Sequence, residues 1–287
     1  MKRRDEFDLK PAEKELLRAW RTLFEEHYTE DIKRFQGLND DVCGFEVAHA
    51  LIDNSKILKT PFHLEPTRTL EIGNHVLKEQ FDLHEARMRP IIRVVGFHER
   101  YLRRVDTLRM RDRGTLVSLD VKINDISNPY GWLRVAVYEC QRCSTRYELP
   151  QRRARERESP RICETCLNNL ELSQFKDNDD DASFPPFFGA LTNFKMLIED
   201  CKYEDVQDLS LCQVVFNKQF HVLNCSLKQQ IVGTLTDDLV GELEPGTYMR
   251  INGIVTVEPV PERTFAKDTR RILAIDVLSV EPLALKE

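Results

Sequence analysis

Residues 137–143 read VYECQRC and residues 162–166 read ICETC, so that two Cys-x-x-Cys pairs are separated by 19 residues. Each pair brings two thiolates onto one tight turn, and two such turns complete the tetrahedral ligand set that a structural zinc ion prefers. The spacing therefore predicts a zinc ribbon, with disulfides or unpaired thiols as the alternatives. The predicted metal ligands are Cys140, Cys143, Cys163 and Cys166.

A zinc ion with four protein ligands has no open position for water, so its predicted role is structural rather than catalytic. It would fold a segment that is too small to bury a core of its own. The remaining cysteines lack this spacing and are expected to be buried or neutral thiols rather than further ligands. They are Cys43, Cys201, Cys212 and Cys225.

Short β-rich runs separated by turn residues lie on both sides of the cysteine pairs. Each run has a length that suits a single strand, and together they predict a small closed or partly closed β-barrel that the cysteine segment interrupts. The acidic segment 176–189 is interpreted as a surface loop. The predicted strands are residues 91–97, 116–123, 132–139, 208–215, 231–235, 248–257 and 272–280.

The first part of the chain is predicted to be a small helical bundle. Residues 11–35 place apolar side chains at spacings of three and four, with Pro11 at a favourable first-turn position. Further helices are predicted near residues 40–53 and over residues 70–87.

Charge is unevenly distributed along the chain. The 42 Lys and Arg residues stand against 48 Asp and Glu residues, and the formal net charge of -6 excludes a uniformly basic nucleic-acid-binding surface. Residues 87–113 nevertheless hold nine arginines and three acidic residues, and residues 142–161 hold seven arginines and three acidic residues. Charge sorted in this way can hold a polyanion on one face. For any single arginine, a solvated helix face is the alternative.

Enzymatic motifs are missing from the sequence. There is no HExxH pair, no Gly-x-Ser-x-Gly elbow and no Walker sequence. His63-Leu64-Glu65 with a downstream Cys-x-x-Cys is a poor match to zinc deaminases, because Ile162 rather than proline precedes the second pair. No apolar run approaches the roughly 18 residues of a membrane span. An intracellular, non-catalytic chain without a membrane segment is expected.

Several short motifs occur in a specific order over residues 90–280. They are IRVVGF (92–97), LRRVDTLR (102–109), GTLVSLDVKI (114–123), VYECQRC (137–143), EDVQDLSLCQ (204–213), LTDDLV (235–240) and PGTYMRINGI (245–254). In these motifs and in its order of parts, the chain resembles the N-terminal region of the minichromosome maintenance (MCM) replicative DNA helicases, of the archaeal type.

The resemblance implies an α+β multi-domain fold. An oligonucleotide/oligosaccharide-binding (OB) barrel would carry the four-cysteine zinc ribbon as an insertion, and a helical subdomain would pack outside the barrel. The implied boundaries are 1–89 for the helical subdomain, 90–139 and 176–287 for the two parts of the OB-fold, and 140–175 for the zinc ribbon.

The resemblance also implies partners. In that family this region assembles as a hexamer, or as a double hexamer stacked through the zinc ribbons, and single-stranded or duplex DNA passes through the ring. Other replication proteins are further candidate partners. The ATP-hydrolysing motor lies downstream in the family, so ATP is implied only where such a domain exists. The chain is expected to be an N-terminal fragment, with a stand-alone relative as the alternative. Its compartment would be the cytoplasm or nucleoid in an archaeon and the nucleus in a eukaryote.

A basic β-hairpin near residues 254–278 is the first candidate for contact with DNA. Two alternating apolar runs flank a polar loop whose cations would release counterions from phosphates without reading sequence. An aromatic residue in this loop is a candidate for stacking on a base, or for packing on a neighbour. The predicted residues are Arg263, Phe265, Lys267, Arg270 and Arg271 in the hairpin, with Arg109, Arg111, Arg113 and Lys122 as a second set.

The sequence departs from the family at one place, and it also allows an alternative function. Asn124 and Asp125 stand where members of the family often carry a basic residue, which weakens the expectation of contacts there. The alternative function is a non-catalytic scaffold, in which the zinc ribbon and helical bundle join proteins and the barrel binds DNA weakly or not at all.

Overall fold

The computed structural model describes residues 10–35, 42–81, 89–151, 157–168, 192–216, 222–259 and 270–283. The chain divides into two units, one formed by Met1–Pro129 with Val206–Glu287 and the other by Tyr130–Asp205. The helices are α1 (Pro11–His27), α2 (Thr29–Phe35), α3 (His49–Asn54), α4 (Lys59–Leu64), α5 (Pro66–Gln80) and α6 (Glu164–Asn168). The strands are β1 (Val42–Ala48), β2 (Arg89–Val95), β3 (Leu102–Arg103), β4 (Leu116–Ile126), β5 (Tyr130–Cys140), β6 (Arg146–Pro150), β7 (Phe194–Met196), β8 (Lys202–Phe216), β9 (Val222–Thr236), β10 (Tyr248–Pro259) and β11 (Arg271–Pro282).

Five strands of the first unit close into a barrel. β4 pairs with β10, β10 with β11, β11 with β9, β9 with β8, and β8 returns to β4. Every pair is antiparallel except β9 with β11, which is parallel. This five-stranded ring with one parallel pair has the topology of an OB-fold. The predicted barrel fold with helices is therefore confirmed.

The barrel and the helices have separate apolar clusters. Alternate residues of β4 point into the barrel, where Val117, Leu119 and Val121 pack with Leu211 and Ile275. The other cluster joins α1, α5 and the β1–β2 pair to the outside of the barrel, and it includes Leu116, Ile254 and Leu278 from the barrel strands.

The helical region also contains a strand that the sequence did not predict. A helix was expected near residues 40–53, but residues Val42–Ala48 form β1, which pairs in parallel with β2, and the helix begins only at His49. Phe45 and Val47 are buried while Glu46 between them is exposed. This period of two suits a strand, but it is too short to stand out from helical neighbours.

Helix α1 packs closely against α5. Trp20 is fully buried, and its indole Nε1 donates a hydrogen bond to the carbonyl oxygen of Thr69 at 3.1 Å. A Cβ atom on Gly73 would lie 2.6 Å from Ile92 Cδ1 and 2.8 Å from Trp20 Cε2. Only glycine therefore allows α5 to approach both α1 and β2 at this point.

A buried ion pair ties β2 to the end of β9. The Arg93 side chain is 6% exposed, and its guanidinium donates to the Asp238 carboxylate and to the carbonyl oxygen of Thr236, the latter at 2.7 Å. A Cβ atom on Gly44 would lie 2.1 Å from Asp238 Oδ2, so the residue opposite this pair has to be glycine. A second tie joins β2 to β11, because Ser279 Oγ donates to the carbonyl oxygen of Val94 at 2.6 Å.

We predict that Asp238→Ala lowers the free energy of unfolding by about 3 kcal/mol, because it leaves the buried Arg93 guanidinium without its counter-charge. Urea titration followed by circular dichroism measures the change. Asp31→Ala is the control, since Asp31 pairs with Arg34 on an exposed helix and its loss should cost no more than about 0.5 kcal/mol. Equal effects of the two substitutions would contradict the prediction.

Candidate metal centre and nucleic-acid interface

Four cysteines of the second unit converge on one point. Cys140 ends β5, and a turn with Ser144 at a φ of 55° carries Cys143 back toward β6. Cys163 immediately precedes α6, and Cys166 lies within that helix. The four Sγ atoms all lie within 4.8 Å of one another, which confirms that the two predicted pairs come together.

The spacing of the sulfur atoms fits a tetrahedral metal ion. Cys140 Sγ and Cys166 Sγ are 3.7 Å apart, and Cys143 Sγ and Cys163 Sγ are 3.4 Å apart. Four thiolates at about 2.3 Å from one ion would be about 3.8 Å from one another. These residues can therefore hold a metal ion. No other group of three or more His, Cys, Asp or Glu residues suits one in the described ranges.

Hydrogen-bond donors surround the cluster. The Tyr147 hydroxyl donates to Cys163 Sγ at 3.2 Å, and the backbone N–H of Cys166 donates to the same sulfur at 3.4 Å. Thr145 Oγ1 lies 3.1 Å from Cys143 Sγ. Such contacts orient metal ligands and stabilise negative charge on them. Thr145 and Tyr147 were not among the residues predicted from the sequence, although their positions just after the first cysteine pair could have suggested this role.

The thiols differ in how readily they ionise. Burial opposes ionisation of Cys143, but hydrogen bonds with Thr145 and with the neighbouring thiols outweigh it and lower its pKa to about 6. Burial, followed by hydrogen bonds with the other three thiols, raises the pKa of Cys166 to about 12. One thiolate therefore forms easily and the last forms only with difficulty, as expected when negative charges are crowded together. A bound cation would remove this penalty, so metal binding would release protons.

The remaining described cysteines lie outside the cluster. Cys201 Sγ donates to the carbonyl oxygen of Leu197 at 3.2 Å and accepts from the backbone N–H of Val137 at 3.4 Å. Cys212 is fully buried in β8. Both fit the expectation of buried or neutral thiols. The side chains of Cys43 and Cys225 lie outside the described part of the structure.

The predicted hairpin is present as far as the structure describes it. β10 and β11 pair in antiparallel register from Met249 opposite Pro282 to Pro259 opposite Arg271. Arg270 is exposed at its end, and the Arg271 guanidinium donates to the carbonyl oxygen of Arg270. Arg263, Phe265 and Lys267 lie outside the described residues.

The second predicted set lies next to the barrel in a stretch that we call the arginine segment, residues 102–113. It consists of β3 and two short 3-10 turns, Val105–Thr107 and Met110–Asp112, and it leads directly into β4. All five of its arginines are exposed. They are Arg103, Arg104, Arg109, Arg111 and Arg113.

Two of these arginines bind other groups of the same segment. The Arg104 guanidinium binds the Asp106 carboxylate at 2.7 Å, and the Arg109 guanidinium donates to the carbonyl oxygens of Asp106 and Leu108. The guanidinium groups of Arg103, Arg111 and Arg113 have no hydrogen-bond or ion-pair partner within the described part of the chain. Arg103 was not among the DNA-binding residues predicted from the sequence, although its position in the basic stretch 87–113 could have suggested this role.

Lys122 occupies a different setting. It lies on β4 directly opposite Tyr248 of β10, and its ammonium group is 5.6 Å from the centroid of the tyrosine ring. The next outward-facing pair along these strands is Asp120 with Arg250, whose Nε lies 2.7 Å from Asp120 Oδ1. Lys122 is thus half-buried in a cross-strand pair, whereas the unpaired arginines extend freely into solvent.

These features define an OB-fold protein with a four-cysteine insertion after its first barrel strand. The sequence matches the family described as MCM OB domain over residues 104–259, more than half of the chain. The chain belongs to the MCM family. A solved structure of the N-terminal domain of an archaeal MCM has a TM-score of 0.72 at 19% identity, and the match covers 95% of this chain and 100% of that one. Comparison with curated proteins gave no match. None of the described helices is long and apolar enough to cross a membrane.

We predict that Cys163→Ser abolishes stoichiometric metal binding, because the cluster loses one of its four sulfur ligands and the acceptor for Tyr147. Elemental analysis of purified protein measures metal per chain, with about one ion expected in the unaltered chain. Cys201→Ser is the matched control, since this cysteine belongs to the same unit but not to the cluster. Equal metal content in both variants would refute the assignment of Cys163.

Proposed function

We propose that the chain is the DNA-binding and ring-assembly region of an MCM-type helicase, and that it contacts phosphates without reading sequence. The observation that carries the proposal is the arginine segment. It holds three exposed guanidinium groups without a described partner beside an OB barrel of the MCM family. Cations of this kind gain affinity by releasing the counterions condensed on a nucleic acid.

The topology of the barrel supports the hairpin as a second contact. Residues 260–270 connect β10 to β11, the fourth and fifth strands of the barrel. In OB-folds the connection between these strands and the connection between the first two are common binding elements for oligonucleotides. Arg263, Lys267 and Arg270 occur in this connection, and Phe265 is the candidate for stacking on a base.

The metal in the cysteine cluster is proposed to be zinc. Four sulfur ligands in tetrahedral spacing are typical of structural zinc, and they leave no position for a reacting water molecule. The cysteines would hold the ion, and Tyr147 and Thr145 would orient two of the thiolates. The ion would cross-link the turn after β5 to helix α6 and so stabilise a unit with a small apolar core.

Assembly into a ring explains how an acidic chain binds DNA. Each chain has a formal net charge of -6. Copies arranged around an axis would present their arginine segments to the same strand, so that avidity exceeds the affinity of one copy. A hexamer or a double hexamer is the proposed assembly. ATP would enter only through a motor domain, and the chain itself is proposed to be non-catalytic.

We predict that the double substitution Arg111→Ala/Arg113→Ala weakens binding to a labelled single-stranded oligonucleotide and lowers its salt dependence. Each lost phosphate contact should reduce the slope of log K against log salt by about 0.7, so the pair should reduce it by about 1.4 for each protomer that contacts the strand. Fluorescence anisotropy at several salt concentrations measures both quantities.

The double substitution Lys14→Ala/Arg18→Ala is the matched control. It also removes two exposed cations, but from helix α1 rather than from the arginine segment. The proposal predicts no change of slope in this variant. Similar losses of affinity and slope in the two double variants would show that only the overall charge of the chain matters. An unchanged slope in both variants would show that the arginine segment does not contact the nucleic acid.

A charge reversal distinguishes DNA binding from the scaffold alternative. We predict that Arg263→Glu/Lys267→Glu weakens DNA binding while the assembly state, measured by light scattering, stays the same. The reason is that reversed charges repel phosphates from a channel but do not affect contacts made by the zinc-binding unit. Loss of assembly in this variant would favour the scaffold.

A further inference from the structure

A buried glutamine connects the arginine segment to the barrel. Gln213 lies in β8 and is 3% exposed. Its Oε1 accepts a hydrogen bond from the backbone N–H of Val105 at 2.5 Å, and its Nε2 donates to the carbonyl oxygens of Val214 and Asp120 at 2.9 and 3.4 Å. One side chain therefore bridges the arginine segment, β8 and β4.

Among the described residues, the arginine segment has few other backbone bonds to the barrel. Only Leu102 and Arg103 pair with β4, and the next barrel bond is from Gly114 N–H to the carbonyl oxygen of Val255. The turns between them bond locally, as from Leu108 N–H to the carbonyl oxygen of Val105. The Val105 and Leu108 side chains are buried against the barrel core, so the Gln213 bond lies where the segment is anchored.

The position of this anchor determines where the free cations lie. Arg103 precedes Val105 by two residues, and Arg111 and Arg113 follow it within the same short run of turns. Because these turns have little regular pairing of their own, release of the Val105 N–H would let the whole run move. Arginines on a mobile segment lose more conformational entropy when they bind, which weakens binding.

We propose that Gln213 is a positioning residue that holds the arginine segment in the conformation that presents Arg103, Arg111 and Arg113 to phosphates. Gln213 touches no ligand itself, and it acts through the backbone of Val105. This inference rests on the proposed DNA-binding function for its consequence, but the anchoring of the segment can be measured without DNA.

The same strand provides a matched control. Gln207 is 6% exposed, its Nε2 donates to the carbonyl oxygen of Ser127 at 2.9 Å, and its Oε1 accepts from Gly241 N–H at 3.0 Å. Gln207 is thus a second buried glutamine in β8 that bridges two segments with both ends of its amide. None of its hydrogen bonds is to the arginine segment.

The test compares Gln213→Met with Gln207→Met by limited trypsin digestion, because trypsin cleaves after the exposed arginines of residues 102–113. Loss of one buried hydrogen bond should raise the open population, and with it the cleavage rate in this segment, at least about fivefold in Gln213→Met. Gln207→Met should leave that rate unchanged. Oligonucleotide affinity should fall about two- to tenfold in Gln213→Met only.

Equal cleavage of the segment in both variants would overturn the proposal, as would faster cleavage in Gln213→Met with undiminished DNA affinity. Should the unaltered chain bind no oligonucleotide, the proposed function fails, while the trypsin comparison still decides whether Gln213 anchors the segment. Should Gln213→Met fail to fold, hydrogen exchange of the unaltered chain decides instead. The Val105 amide should then be protected like the barrel amides, and rapid exchange would overturn the proposal.

Discussion

The structure of the first unit depends on one barrel strand, β4, that pairs with three other strands. β4 pairs with β10 along one edge, and with β3 and β8 along the other. Pairing with β8 closes the barrel, because β4 and β8 stand at the two ends of the strand order β4–β10–β11–β9–β8. Closure removes exposed sheet edges and fixes the register, since a slip by one residue would turn the inward residues Leu119 and Val121 to the outside.

The same register pairs the outward-facing side chains of β4 with side chains of β10. Ser118, Asp120 and Lys122 each stand opposite a polar or aromatic residue of β10, namely Asn252, Arg250 and Tyr248. The buried end of this ladder is satisfied by hydrogen bonds, as between Ser118 Oγ and Asn252 Oδ1 at 2.6 Å. Direct cross-strand pairs of this kind stabilise a sheet, and here they also leave Lys122 held against a ring rather than free in solvent.

The sequence predicted those features whose determinants are close together along the chain. The cysteine pairs were recognised by spacing, and the barrel strands by short β-rich runs, because both signals are local. Gln213 and Val105 are 108 residues apart, and Arg93 and Asp238 are 145 residues apart, so no local pattern could reveal either contact. Asp238 lies in a short turn, where an acidic residue attracts no notice in the sequence, but its carboxylate neutralises a buried arginine.

The arginine segment shows why formal charge is a poor guide to a binding surface. Its five arginines and two aspartates give a formal excess of three positive charges. This excess is available to a polyanion only because each aspartate binds one particular group of the segment. Asp106 takes the Arg104 guanidinium, and Asp112 accepts the backbone N–H of Arg109. The same acids that reduce the net charge therefore shape the turns that keep the remaining guanidinium groups apart and exposed. An interface of this kind depends on a few cations held in place by the backbone, and it is compatible with a protein that is acidic as a whole.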